Sequence, residues 1–278
     1  MKTANLSGRL NLIIDDLAVD VERASAGLFS SDPQSIYERW SEFVEWTTSM
    51  APLRGRSFDI DELGPPVPRP SQVFAIGLNY VEHASEAGYP PDSVPVTFTK
   101  FPTCLVGPSS VVTLPDGSVD WEVELVVVIA KRTESVAESD AWGQVAGLTI
   151  GQDLSERQLQ LSGAKPQFSL GKSFPGFGPT GPWLVTPDEF DDPNDLEIAC
   201  TLSGERMQHS RTSRMIYNVP TLIARLSSVC ALLPGDLIFT GTPAGVGNAR
   251  TPKRFITAED ELISQIEGIG SMTTRFTR

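Results

Sequence analysis

The sequence is short of histidine, cysteine, long apolar runs and positive charge, and each shortage excludes something. It has two histidines and three cysteines in 278 residues. Cys104, Cys200 and Cys230 show no C-x-x-C spacing, which leaves neither a thiol-rich zinc site nor a redox dithiol. With no sign of export they read as reduced thiols of a cytoplasmic protein. The longest apolar run, Leu125 to Ala130, falls far short of the roughly 20 residues a membrane helix needs. Arg9, Asp15 and Asp16 interrupt any signal-peptide core near the N-terminus. Against 22 Lys and Arg stand 35 Asp and Glu, a formal net charge of −13. That balance argues against nucleic acid or an anionic membrane as partner. The glycine-rich stretch Gly241–Gly247 lacks the G-K-[ST] ending of a phosphate loop, and no G-x-G-x-x-G dinucleotide fingerprint occurs. There is no internal repeat.

What is present is an ordinary globular composition, 40% hydrophobic and 21% charged, in a chain long enough for one large domain or a large and a small one. Its most telling stretch is Asp120-Trp121-Glu122-Val123-Glu124, followed at once by Leu125 to Ala130. The apolar run reads as a buried strand. Side chains alternate on a strand, so Glu122 and Glu124 point the same way at its mouth. Buried like charges require a positive partner, and a divalent cation with oxygen ligands meets that need. Alone, E-x-E equally describes an edge strand with two solvated glutamates.

Residues 1–70 read as a small α/β unit and a linker. Arg9–Ile14 and Ala18–Val21 flank an Asp15-Asp16 turn. Asp32-Pro33 starts an amphipathic helix reaching about Met50, with Trp40 and Trp46 as packing residues. Residues 51–70, with five prolines and two glycines, mark a linker and a boundary. Residues 71–278 carry many short strands and few helices, so the fold class is α+β, mostly β. Within them Val81–Ala87 reads as a short helix carrying His83 and, one turn on, Glu86. An imidazole oriented by a carboxylate at i+3 can serve as a general base. The same pair also describes an ordinary surface contact. Asp153 follows the Val145–Gly151 strand. Together Glu122, Glu124 and Asp153 offer three hard oxygen ligands, suited to Mg²⁺, Mn²⁺ or Ca²⁺ and not to zinc. Arg157 and Gln160, on one face of a short helix, and Lys172 are donors for an anionic substrate.

Seven segments occur in one order: Gly77-Leu78-Asn79-Tyr80 with His83 and Glu86; Glu122-Val123-Glu124-Leu125; Gly151-Gln152-Asp153-Leu154-Ser155 with Arg157; Gly171-Lys172-Ser173-Phe174; Gly181-Pro182-Trp183-Leu184-Val185; Met215-Ile216-Tyr217; and Thr240-Gly241-Thr242-Pro243 with Gly245-Val246-Gly247. In these the sequence resembles the fumarylacetoacetate hydrolase family from about Val73 to Gly270. The resemblance implies a mixed β-roll, a homodimer, and Mg²⁺ or Mn²⁺ held by Glu122, Glu124 and Asp153 and chelated by a 2-oxo acid. It implies that Lys172 stabilises developing negative charge, that Arg157 and Gln160 orient substrate, and that Thr242 lies near its carboxylate. His83 and Glu86 would sit on a lid. Two departures stand out: Arg157 is followed by Gln158 instead of an acid, and Glu259-Asp260 replaces the usual Gly-Asp turn.

The expected reaction is hydrolysis of a carbon–carbon bond in an acylpyruvate-like 2,4-dioxo acid, with His83 activating water. Oxaloacetate decarboxylation, isomerisation of a 2-hydroxyhepta-2,4-diene-1,7-dioate and hydrolysis of a 2,4-dioxo-3-deoxy sugar acid share the same enolate chemistry. A catalytically silent metal-binding scaffold is disfavoured, because Lys172 and all three ligands are present.

Overall fold

The computed structural model describes residues 1–49, 55–88, 90 and 94–278. The fold is mostly β, as expected, with two large sheets and a two-stranded one that pairs Val119–Asp120 with Ser155–Glu156. An 11-stranded mixed sheet holds Lys2–Leu6, Arg9–Ile14 and Leu17–Asp20 at one end and Val73–Gly77 and Val96–Thr99 at the other. Between them lie Gly178–Val185, Val145–Gln152, Val123–Ile129 and Leu237–Phe239. A five-stranded sheet runs Glu205–Arg211, Glu197–Leu202, Glu261–Ile266, Gly270–Thr277 and Ser109–Thr113.

Every residue of the Val123–Ile129 strand is buried. Leu125, Val127 and Ile129 enter the core shared with the five-stranded sheet and the Val219–Ser227 helix. Val126 and Val128 enter a second core, built with Tyr37, Trp40 and Phe43. A strand covered on both faces has no polar side, which explains its unbroken valines. Each such side chain contributes about 1.5–3 kcal/mol by leaving water.

The N-terminal segment is tied into this architecture. Lys2–Leu6, a strand with no local sequence signal, pairs antiparallel with Gly178–Val185 through Lys2↔Val185 and Thr3↔Leu184. The two-residue turn before Leu17 has Asp15 and Asp16 at φ 48° and 60°, the left-handed geometry that fits a tight hairpin and that aspartate tolerates. The helix expected from Asp32 begins as a 3₁₀ turn, Ser35–Arg39, and becomes α-helical over Trp40–Ser49; Met50 lies outside the described residues. Trp40 and Trp46 pack as expected, in a cluster with Phe29 and Phe43 at centroid distances of 5.4–5.8 Å. Residues 51–54 of the proline-rich stretch are also outside the description. Its remainder is not loose: Ile60–Glu62 forms a capped 3₁₀ turn, and Leu63–Gly64 pairs with Lys2–Leu6. The boundary at 70/71 therefore separates two sequence regions that share one sheet.

Candidate active site

The Val123–Ile129 and Val145–Gln152 strands are antiparallel, with Glu124 opposite Gly151. That register brings the start of one strand to the end of the other. The Asp153 amide donates to the Glu122 carbonyl at 2.9 Å. Ligand oxygens of Glu122, Glu124 and Asp153 lie within 4.8 Å of one another, and all three residues are buried. The Leu170–Lys172 turn sends Lys172 Nζ between two of them, donating to Glu122 Oε2 at 2.7 Å and Asp153 Oδ2 at 2.5 Å. Arg157 NH2 lies 2.7 Å from Glu122 Oε1 and 2.8 Å from Asp120 Oδ2. Arg157 NH1 donates to Gln160 Oε1 at 2.8 Å.

Electrostatics separates the carboxylates. Burial raises the Glu122 carboxyl, but Lys172 and Arg157 outweigh it and hold it at about 2. Among the described residues Glu124 has no ion-pair partner, and its Oε2 accepts from the Gly241 amide at 2.8 Å. Its carboxyl is pushed well above the usual range, by burial first and then by Asp153 and Glu122. Burial disfavours the Lys172 ammonium, yet Asp153 and Glu122 raise its pKa and keep it charged. Arg157 is likewise raised against its desolvation by Asp120 and Glu122.

Counted together, four buried carboxylates (Asp120, Glu122, Glu124, Asp153) face three buried cations (Lys100, Arg157, Lys172). The surplus carboxyl is Glu124, whose raised pKa favours its protonated form, so the excess charge appears when a cation displaces that proton. A hard divalent cation bound by Glu122, Glu124 and Asp153 fits both the donor set and that surplus, and would make the cluster net positive toward an anionic substrate.

The helix Val81–Glu86 faces this cluster across a pocket of about 290 Å³. The strand Val73–Gly77 turns into it through Leu78, at φ 62°. Asn79 fastens the turn, donating to the Tyr217 and Thr240 carbonyls and accepting from the Tyr217 amide. His83 is buried and lines the pocket with Glu122, Arg157, Gln160 and Lys172. Its Nδ1 lies 2.7 Å from Glu86 Oε1. A carboxylate acceptor there fixes the proton on Nδ1 and leaves Nε2 as the basic atom.

Of the residues singled out from sequence, the structure brings together His83, Glu86, Glu122, Arg157, Gln160 and Lys172 around the pocket, with Glu124 and Asp153 beneath. Thr242 lies behind the carboxylates and not on the pocket wall: buried, it donates to the Val123 carbonyl and accepts from Gln208 Nε2. Two residues escaped the sequence reading. Lys100, fully buried, donates to Asp153 Oδ1 at 2.7 Å, to the Phe177 carbonyl and to the Lys172 carbonyl. Nothing in its own stretch marks Lys100: it follows the Val96–Thr99 strand, in which threonines alternate with Val96 and Phe98. Asp120 stands two residues before Glu122, so the alternation that picked out Glu122 and Glu124 extended to it.

A family model for the fumarylacetoacetate (FAA) hydrolase C-terminal region matches residues 72–277. The chain belongs to the fumarylacetoacetate hydrolase family. The match begins beside the 70/71 boundary. Among relatives, oxaloacetate tautomerase FAHD2B, mitochondrial, from Bos taurus is 44% identical over 207 residues, which is 74% of this chain and 66% of that protein. The alignment thus spans just under two thirds of that relative. Among solved structures, a Mycobacterium smegmatis protein described as HpcE-like has 51% identity and a TM-score of 0.96, covering 100% of this chain and 99% of its own. Maleylpyruvate hydrolase from Sphingobium sp. SYK-6, in complex with manganese(II) and pyruvate, has 26% identity and a TM-score of 0.79, with 100% of both chains covered. The mixed β fold is that of the family. No helix among the described residues is long and apolar enough to cross a membrane.

Proposed function

We propose that the chain is a divalent-metal-dependent enzyme that forms and reprotonates the enolate of a short 2-oxo acid. Its reaction in this reading is keto–enol tautomerisation or double-bond isomerisation of a small dicarboxylate of the oxaloacetate class. The observation that carries the reading is His83, its Nδ1 held by Glu86, facing Lys172 and Arg157 in one small pocket above three carboxylates.

Each residue has a chemical task. Arg157 and Gln160 orient the substrate's carboxylate and keto oxygen. His83 Nε2 takes the proton from the carbon next to the keto group and returns it. Glu86 holds the imidazole in the required tautomer and stabilises its charged form. The Lys172 ammonium stabilises negative charge developing on the enolate oxygen. A bound Mg²⁺ or Mn²⁺, held by Glu122, Glu124 and Asp153, would supply Lewis-acid stabilisation of that oxygen.

Carbon–carbon hydrolysis of an acylpyruvate is the second reading. The His83–Glu86 pair favours it, because an oriented imidazole activates water as readily as it moves a carbon-bound proton, and a family member with hydrolase in its name carries manganese and pyruvate. A homodimer is part of the proposal on family grounds, and a cytoplasmic location on the sequence grounds given above.

A panel assay separates the readings: enol-oxaloacetate, a 2-hydroxydienoate diacid and an acylpyruvate, each with Mg²⁺, with Mn²⁺ and with chelator. The expected result is metal-dependent loss of the enol form, faster than any cleavage. Faster cleavage of the acylpyruvate would establish the hydrolase, and turnover indifferent to chelator would overturn both.

A further inference from the structure

The loop Gly245–Ala249 is gripped from two sides, and the grips reach different halves of the site. From above, the Gly245 amide donates to both oxygens of Glu86, at 3.1 and 3.0 Å. Glu86 Oε1 is also the atom that holds His83. From below, the Gly247 amide donates to Asp120 Oδ1 at 2.7 Å and the Asn248 amide to Asp120 Oδ2 at 2.8 Å. Asp120 Oδ2 also accepts from Arg157 Nε at 2.9 Å, and Oδ1 from the Trp121 amide at 2.8 Å. Asp120 has no exposed surface. Between the two grips, Val246, Asn248 and Ala249 line the pocket.

The loop is seated too tightly to yield. A Cβ on Gly247 would lie 1.9 Å from the Arg254 carbonyl oxygen and 2.8 Å from Asp120 Oδ1. One on Gly245, at φ 110°, would lie 2.2 Å from the Met207 carbonyl oxygen. Rigid backbone pinned at both ends passes a displacement at one end to the other.

We infer that Asp120 is a positioning residue that sets two catalytic groups at once: Arg157 directly, and the Glu86–His83 pair through the Gly245–Ala249 loop. The charge-assisted bonds that Asp120 accepts from both backbone amides and from the guanidinium are the strong kind. With four donors on its two oxygens, neither carboxylate oxygen can be replaced by an amide nitrogen without losing acceptors. This deepens the enolate reading by naming what aligns base and substrate clamp, and it rests on that reading only for its kinetic consequence.

The test is Asp120→Asn in the full chain, with three readouts. The hydrogen-bonded Nδ1–H proton of His83 is resolvable by NMR, since His209 is the only other histidine, and His83→Ala assigns it. Hydrogen exchange reports the Val81–Glu86 helix, which Asp120 does not touch. Steady-state kinetics with Mn²⁺ report KM and kcat separately. The expected result is loss or upfield movement of the His83 resonance, faster exchange in the helix, a raised KM and a kcat lower by about 10–100-fold. A folded variant with the resonance and helix exchange of the wild type, whatever its activity, overturns the inference and leaves Asp120 serving Arg157 alone. Should Asp120→Asn not fold, Glu86→Gln, at a partly exposed position, probes the same loop from its other end. Faster exchange at 246–249 with a raised KM supports the coupling; unchanged exchange there contradicts it. If the wild type turns over no 2-oxo acid, the resonance and exchange readouts still decide the inference, so its failure and that of the enolate reading remain distinguishable.

Discussion

The site is built from two regions of opposite character. The floor, with Glu122, Glu124, Asp153, Lys100 and Lys172, lies at the meeting ends of two long buried strands, and each of these residues is at most 5% exposed. The roof is a six-residue helix, Val81–Glu86, whose outer face is open to water. Among the described residues its polar ties are Glu86 to the Gly245 amide, a Glu82–Arg214 ion pair, and the fastening of Asn79 beside it. The floor stores charge in a frame that cannot rearrange cheaply, and the roof carries His83, the proposed proton-transfer group, on a short helix with a water-exposed outer face. Changes in the floor should therefore cost stability and metal binding, while changes in the roof should cost turnover alone.

The largest effect is expected from Lys172→Met. Removing one partner of a buried ion-pair cluster typically costs about 3–5 kcal/mol. That loss should be full in the metal-free protein and smaller with saturating Mn²⁺, since a divalent cation would replace part of the missing charge, and activity should vanish in both. Denaturant melts with and without Mn²⁺ measure it. Equal loss in the two conditions would show that the cation does not share the Lys172 carboxylates.

His83→Ala should invert this pattern. The expected fall in kcat is about 10²–10⁴-fold, the ordinary contribution of a general base, while stability changes by about 1 kcal/mol or less. Kinetics and a melt on the same preparation decide it. A large loss of stability would move His83 from the roof's category to the floor's.

Legibility in the sequence follows the same division. The floor was readable where chemistry follows local period: two glutamates at i and i+2 ahead of an apolar run, and an aspartate ending the next strand. Asp120 fits that period, but its partners Arg157, Gly247 and Asn248 come from distant segments that no local pattern links to it. Lys100 was unreadable as a site residue, since its partners Asp153 and Phe177 come from distant segments. The His83–Glu86 pair was readable from helical spacing, but its latch on Gly245, 159 residues away, was not. Pairing of the N-terminal strand with Gly178–Val185 had no local signal either, which is why residues 1–70 read as a separate unit.

The smallest effect is expected from Thr242→Val. Its hydroxyl is spent on the Val123 carbonyl and Gln208, so the variant should lose about 1–2 kcal/mol of stability with KM unchanged. A raised KM with stability intact would return Thr242 to the substrate site that the family resemblance implied.

The most direct test of the floor's role is Mn²⁺ binding followed by electron paramagnetic resonance in three proteins. The wild type should bind one Mn²⁺ per chain. Glu124→Gln, which keeps an acceptor for the Gly241 amide but removes the surplus carboxyl, should lose that binding, and His83→Ala should retain it. Mn²⁺ held as tightly by Glu124→Gln as by the wild type, or lost in His83→Ala, would contradict the account.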